Sequence, residues 1–513
     1  MRKDDQSVSG SGLSRRRFLE LTSVTMSGCL LGLPTASATV AGETLRNDPR
    51  RPQFHLLPSH NWMNDPNGPI YFQGKYHMFF QYNPEGAVWG NMSWNHAVSS
   101  DMMHWQHQPV VFTMTPNGPD AAGCFSGSAL AVRHGSGNRV YAIYTGVVRD
   151  KAHETIRNEG LKETQCLAWS DDPSLNVWKK HPVPVIPEPP PGLQITGFRD
   201  PSMWKHGDSY LMTVGAGIAA LGGCVLLYRS TDLFHWEYLH PLIVGSWNGL
   251  ATSNPVEDGE MWECPEMFPV HGGHVLIYSA LGKVFWQSGE FDEATLMFKP
   301  RRGGLLDLDA FYAPKTQTDA QNRRILWGWI PERRSNAEML TAGWSGMMSL
   351  PRVLSLDPDG TLRINVIPEL STLRREQLKV QQESSQQVLL LPNSTGEAEC
   401  TGSIEHEMSL TLELPGELVE VSYAPARRRL RVNKFELALR PQDRPHVRLF
   451  VDGSVAELII SEQITLTRRF YYSGNVAPDI RLTATGSQTK LEGWVIAPIS
   501  QDRLTTAARI VSS

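Results

Sequence analysis

Residues 74–83 read GKYHMFFQYN. A turn residue opens the stretch, and an aromatic-rich run follows, as in a strand leaving a tight turn. The same plan returns in NRVYAIYTGV (138–147), GDSYLMTVGA (207–216), GGHVLIYSAL (272–281) and NRRILWGWIP (322–331). The five starts lie 64, 69, 65 and 50 residues apart. A second echo follows the first three copies: SDMMHW (100–105), SDDPSLNVW (170–178) and STDLFHW (230–236) each end in Trp and lead into an apolar run containing Pro. Repeats of this length, each holding several short strands, are the signature of propeller blades. Helical periodicity is scarce, and Gly and Pro punctuate every run.

After Leu350-Pro351-Arg352 the texture changes. Glu- and Gln-rich stretches begin near residue 369, then alternating runs appear: SLTLEL (409–414), LRVNKFELAL (430–439) and HVRLFVDGSVAELII (446–460). Asp452-Gly453 inside the last run is a hairpin signal. The expected fold is all-β: a five-bladed β-propeller over residues 51–368, followed by a C-terminal β-sandwich over 369–513.

The wider composition agrees with an exported globular chain. Of 513 residues, 41% are apolar and 20% charged, and the length implies more than one domain. A net charge of −5 gives no basic field for nucleic acid. Residues 1–38 combine SRRRFL (14–19), an apolar stretch (21–33) and Ala36-Ser37-Ala38, the order of a twin-arginine export signal and its cleavage site. Residues 39–50 read as a linker. The expected location is periplasmic or extracellular. No other apolar run is long enough to span a bilayer, so no membrane anchor is expected. Cys124, Cys166, Cys224, Cys264 and Cys400 fit neither a zinc spacing nor a dense disulfide frame. One or two bridges are the most that is expected.

Three acids hold equivalent places in the repeat. Asp65 lies 9 residues before the first repeated stretch, Asp200 lies 7 before the third and Glu263 lies 9 before the fourth. In a propeller these positions fall on the innermost strands, so acids from three blades would meet on the axis. Glycoside cleavage needs such a set: a carboxylate nucleophile, a carboxylic acid to protonate the leaving oxygen, and a group that steadies the oxocarbenium-like transition state. Trp262 and Cys264 would give Glu263 a less polar setting, and Arg199 would hold Asp200 ionised. Taken singly, each acid has a plainer reading. Asp-Pro is a common turn pair, and a calcium site at Asn64, Asp65 and Asn67 lacks the required loop pattern. The shared position favours chemistry.

These residues, together with Trp62-Met63-Asn64-Asp65-Pro66-Asn67-Gly68, Phe80-Gln81-Tyr82-Asn83-Pro84, Trp89-Gly90, Phe125-Ser126-Gly127-Ser128, Phe198-Arg199-Asp200-Pro201, Trp262-Glu263-Cys264-Pro265 and Val451-Asp452-Gly453-Ser454, resemble glycoside hydrolase family 32, the invertases, exo-inulinases and levanases. The resemblance runs from residue 51 to about 500 and implies the same propeller and sandwich. It implies Asp65 as nucleophile, Asp200 as transition-state stabiliser and Glu263 as acid/base. It also implies a fructose pocket shaped by Asn64, Gln81, Trp89, Phe125, Ser126 and Arg199, with Pro66 and Gly68 fixing a turn under the sugar. A retaining double displacement on sucrose or fructans such as inulin and levan follows, without metal or cofactor, and with the two reacting carboxyls about 5–5.5 Å apart. Glu266 stands where many relatives have Asp, and Asn95 where many have Gly. These departures are expected to alter contacts to the sugar or the pocket rim. The same site would serve a fructosyltransferase, and the fold alone would serve a non-catalytic fructan-binding protein. Intact Asp65, Asp200 and Glu263 favour catalysis. Substrate length, linkage and oligomeric state are not legible in the chain.

Overall fold

The computed structural model describes residues 45–499 apart from 136, 158 and 250–253; the export-signal reading of residues 1–38 lies outside the described residues. Five antiparallel sheets follow one another along the chain. The first holds Asn61–Phe72, Lys75–Asn83, Ser93–Ser99 and Trp105–Phe112, and the second Gly123–His134, Gly137–Arg149, Leu161–Ser170 and Lys179–Lys180. The third holds Ile195–His206, Ser209–Ile218, Gly222–Ser230 and Glu237–Val244, and the fourth Glu263–Val270, Gly273–Ala280, Lys283–Asp292 and Met297–Leu305. The fifth holds Tyr312–Thr318, Arg324–Ile330, Arg352–Leu356 and Leu362–Val366, with Met347–Met348 alongside. Each repeated stretch is the second strand of its sheet. Gly74, Gly207, Gly272 and Asn322 take the left-handed backbone that turns the first strand into the second.

The first strands touch one another in a closed cycle. Asn61–Phe72 packs against Gly123–His134, which packs against Ile195–His206, then Glu263–Val270, then Tyr312–Thr318, which returns to Asn61–Phe72. Trp344–Ser345, from beyond the fifth sheet's second strand, pairs in parallel with Asn61 and Trp62 at the edge of the first sheet.

The Trp echo is a structural clip between third and fourth strands. Asp101 accepts from the backbone N–H of Met103 and His104 at 2.9 and 2.8 Å, and Asp232 does the same for Phe234 and His235 at 2.8 Å each. Asp172 accepts from Asn176 and Val177 at 3.0 and 3.1 Å. In all three clips the Trp indole donates back to a carbonyl, that of Met102, Leu175 or Leu233. Those three residues are buried with φ of 65°, 55° and 71°. This backbone is unfavourable for a bulky side chain, and the aspartate and indole hydrogen bonds hold it in place.

Every first strand carries a β-bulge at the same level, and Asn61–Phe72 and Ile195–His206 each have a second irregularity. Register slips between Met63 and Pro66, Cys124 and Gly127, Arg199 and Ser202, Glu263 and Glu266, and Tyr312 and Lys315. A bulge frees a residue from the ladder, so a missing N–H costs nothing there. That explains why Pro66, Pro201, Pro265 and Pro314 stand in or beside the bulges. The stretch from Asn61 to Gly68 is therefore a bulged strand, with Asp65 on the inner strand as expected, and Pro66 and Gly68 stand within it and do not form the expected turn. Gly68 is needed for space, because a Cβ at its φ of +53° would meet the Ala129 nitrogen at 2.4 Å.

Two further sheets follow, of six and seven strands, drawn from residues 374–496. Alternate side chains of both enter one apolar core that includes Leu389, Leu410, Leu449, Leu458 and Leu482. The Asp452-Gly453 signal is a hairpin, with Asp452 paired to Val455 across it. All five cysteines named above are buried free thiols, so neither of the allowed bridges forms among them.

A buried polar network joins these sheets to the preceding ones. Asp452 accepts from the backbone N–H of Gln53 and Phe54 at 2.6 and 2.8 Å and pairs with His55 Nδ1 at 2.7 Å. His55 Nε2 meets Glu457 at 2.9 Å, and Glu457 also holds Arg352 and the Leu350 N–H. Burial alone would strip the proton from His55, but the Asp452 and Glu457 carboxylates outweigh it and hold the imidazolium to about pH 9. An unfolded His titrates near 6.5. The contribution is therefore complete below that value and is lost as pH rises through about 9. Denaturant unfolding measured from pH 6 to 10 should show a loss of up to about 3 kcal/mol from this group. The His55→Gln variant should lack that slope.

Candidate active site

The bulges bring the chemistry together. Asp65 sits in the first, Asp200 in the third, and Glu263 with Cys264 in the fourth, all on first strands of the closed cycle. Asp65, Asp200 and Glu263 are at most 1% exposed. Asp200 and Cys264 have φ of 63° and 50°, left-handed values that turn their side chains out of strand alternation.

Each carboxylate is held by several donors. Asp65 accepts from Ser126 Oγ at 2.6 Å and from Asn64 Nδ2 at 2.9 Å, and Asn64 is itself fixed by the Trp62 indole at 2.7 Å. Asp200 accepts from the Cys264 N–H at 3.0 Å and from Cys264 Sγ at 3.3 Å. The same thiol lies 3.6 Å from Asp65, so it bridges two of the acids. Burial, with Asp200 and Asp65 adding to it, pushes the Cys264 thiol well above its ordinary range, so it stays a neutral donor. Glu263 accepts from Arg199 Nε and Nη2 at 3.0 and 2.8 Å on one oxygen and from Tyr312 Oη at 2.7 Å on the other.

A pocket of about 200 Å³ opens above this floor, lined by Asn64, Gln81, Trp89, Met92, Phe125, Ser126 and Asp200. Five of the six residues expected to shape it are present. Arg199 is not among the lining residues. Its hydrogen bonds run to Glu263 and Glu163, while its charge also acts on neighbouring Asp200. Cys264 likewise flanks Asp65 and Asp200 and not Glu263 alone.

The two departures from the expected pattern lie off the pocket. Glu266 accepts from the Thr316 N–H and hydroxyl at 2.7 and 2.8 Å, tying the fourth sheet to the fifth, and its longer arm reaches no pocket residue. Asn95 is 5% exposed within Ser93–Ser99 and accepts from the next backbone N–H, so it does not shape the rim. Trp89 reaches the pocket, while Trp105 packs edge-on to Trp327 in the core and Trp178 packs on Phe79 and Phe112. Trp329 lies against Trp62, on the pocket side. His271 sits in a turn and His274 on a strand, and no group of three or more metal-ligating side chains occurs among the described residues. Tyr312, Met92 and Glu163 were not anticipated. Tyr312 had a signal, since Tyr312-Ala313-Pro314 places a Pro at the fifth bulge just as Pro201 and Pro265 mark two of the acids.

The family model for the glycosyl hydrolases family 32 N-terminal domain matches residues 55–365. A sucrose-6-phosphate hydrolase of Bacillus subtilis (strain 168) is 31% identical over 483 residues, covering 88% of this chain and 95% of its own. An insoluble beta-fructofuranosidase of Arabidopsis thaliana is 34% identical over 369 residues, covering 65% of this chain and 59% of its own. Among solved structures, the beta-fructofuranosidase of Bombyx mori aligns with a TM-score of 0.74 at 27% identity, covering 90% of this chain and 97% of that one. Fructan 1-exohydrolase IIa of Cichorium intybus aligns with a TM-score of 0.71 at 25% identity, covering 88% and 98%.

Proposed function

The chain belongs to glycoside hydrolase family 32, and from that premise we propose that it releases terminal β-D-fructofuranosyl units from sucrose or fructans by a retaining double displacement. In this reading the five sheets are the blades of a propeller ending near residue 368, and the two remaining sheets form a sandwich domain. Asp65 attacks the anomeric carbon, Glu263 protonates the departing oxygen, and the covalent fructosyl-enzyme is hydrolysed by water that Glu263 then deprotonates. Asp200, held by the Cys264 N–H and thiol, steadies the positive charge that develops on the ring. Asn64, Gln81, Trp89, Phe125 and Ser126 hold the fructose, and Arg199 holds Glu263.

One observation carries this reading: three carboxylates from three sheets stand at the same bulge level, Asp200 lining one small pocket and Asp65 held by its lining residues Asn64 and Ser126. The names of the Bombyx mori and Cichorium intybus proteins, one solved as a variant with sucrose and one with 1-kestose, fit the same substrate class. Export by the twin-arginine route, to the periplasm or beyond, is part of the proposal and rests on residues 14–38.

The mature chain incubated with sucrose, sucrose 6-phosphate, inulin and levan tests it. Free fructose as the sole product from a polymer supports terminal release. Longer fructosides from concentrated sucrose would assign the second reading, transfer, in which a sugar and not water attacks the intermediate. No turnover of any of the four overturns the proposal in favour of a fructan-binding protein.

A further inference from the structure

Glu163 lies outside the pocket on Leu161–Ser170, the third strand of the second sheet, and is 0% exposed. One of its oxygens accepts from Arg199 Nη1 at 2.9 Å. The other accepts from the Phe198 N–H at 2.7 Å and from Thr155 Oγ1 at 3.1 Å. Arg199 donates from Nε and Nη2 to Glu263, so one buried guanidinium is shared by two carboxylates. Burial works against the Arg199 charge, but Glu163 and Glu263, with Asp200 adding to them, outweigh it, and the guanidinium stays protonated.

We infer that Glu163, acting through Arg199, is a positioning residue that sets how readily Glu263 keeps its proton, and so fixes the alkaline edge of activity. This rests on the reading of Glu263 as proton donor. A guanidinium facing a single carboxylate favours its ionised form strongly. Divided between two, it favours each less. Glu163 thus offsets part of the positive charge at Glu263 without touching it, which leaves the acid protonated at higher pH. The other groups around Glu263 come from every neighbouring strand. Tyr312 donates to it from the fifth sheet. Cys264 and Asp200 pair beside it, Asp65 lies across the thiol, and the Lys315 charge acts on Cys264. Glu163 differs from these in holding the same cation as Glu263 while standing outside the pocket. Its two remaining partners, Phe198 and Thr155, fix the carboxylate so that its charge stays aimed at Arg199.

The experiment compares kcat/KM against pH on sucrose for wild type, Glu163→Gln and Glu163→Asp. Loss of the Glu163 charge should move the alkaline limb of Glu163→Gln down by about one pH unit. Glu163→Asp keeps the charge on a shorter arm and should move it less, in the same direction. A purely structural Glu163 would lower kcat and thermal stability in both variants with the limb unmoved, and that result overturns the inference. Should Glu163→Gln fail to fold, the Glu163→Asp profile decides alone. Should wild type turn over no fructoside, the functional reading fails separately. The coupling is then read from the ¹³C shift of the Glu263 side-chain carboxyl, assigned by its absence in Glu263→Gln. A lower titration midpoint in the Glu163 variants supports the inference, and an unchanged one overturns it.

Discussion

Asp65→Asn is expected to cut kcat on sucrose by at least ~10⁴-fold, equivalent to about 5.5 kcal/mol of transition-state stabilisation, while fructose still binds. The amide has the same shape as the carboxylate. It can still accept from Ser126 Oγ, which lies 2.6 Å from Asp65, and Asn64 and Trp62 remain on the same side of the pocket. What it lacks is a nucleophilic lone pair backed by negative charge, so no fructosyl-enzyme forms. Calorimetric binding of fructose beside a kinetic assay separates the two effects. Turnover within tenfold of wild type would remove Asp65 from the mechanism. Lost binding together with lost turnover would mean that the bulge itself had collapsed.

Glu263→Gln is expected to lower kcat on sucrose by ~10²–10⁴-fold and to abolish the alkaline limb of the pH profile. That limb arises because activity is lost as the proton donor ionises. A glutamine has no proton to lose in this range, so the residual rate should be flat there. An aryl fructoside, whose leaving group departs without full protonation, should be spared most of the loss. Arg199 and Tyr312 donate to opposite oxygens of Glu263 and fix its orientation, so the substitution changes the chemistry more than the geometry. A variant that keeps the wild-type limb would assign proton donation to another group.

The second strands were legible because each is a middle strand, buried on both sides, and so reads as an unbroken apolar run. Gly273–Ala280 is the plainest, with VLIYSA buried throughout. The acids were legible by position, since Asp65, Asp200 and Glu263 each precede such a run by a near-constant distance. Their partners were not. Arg199 adjoins Asp200 in sequence and acts on it through charge, but its hydrogen bonds reach Glu163 and Glu263. Glu163 lies in the third strand of another sheet, and no local pattern ties it to residue 263. Glu266 invited a reading from its distance to Cys264, but strand alternation beyond the bulge points it at Thr316. Taken singly, the Asp-Pro pairs suggested turns because inside a sheet proline is confined to edges, first residues and bulges, and bulges leave no mark in composition.

The parallel pairing of Asn61 and Trp62 with Trp344 and Ser345 sets a clock on the molecule. The strand that carries Asp65 emerges from the ribosome early, yet the edge that secures it follows about 280 residues later, roughly 15–60 s at ordinary rates of synthesis. Joining segments so far apart is also the slowest kind of step for a folding chain. A nascent or prematurely ended chain lacking residue 344 therefore holds most of its active-site side chains without the edge that locks them together. Such a chain should be open to proteolysis where the finished molecule is not.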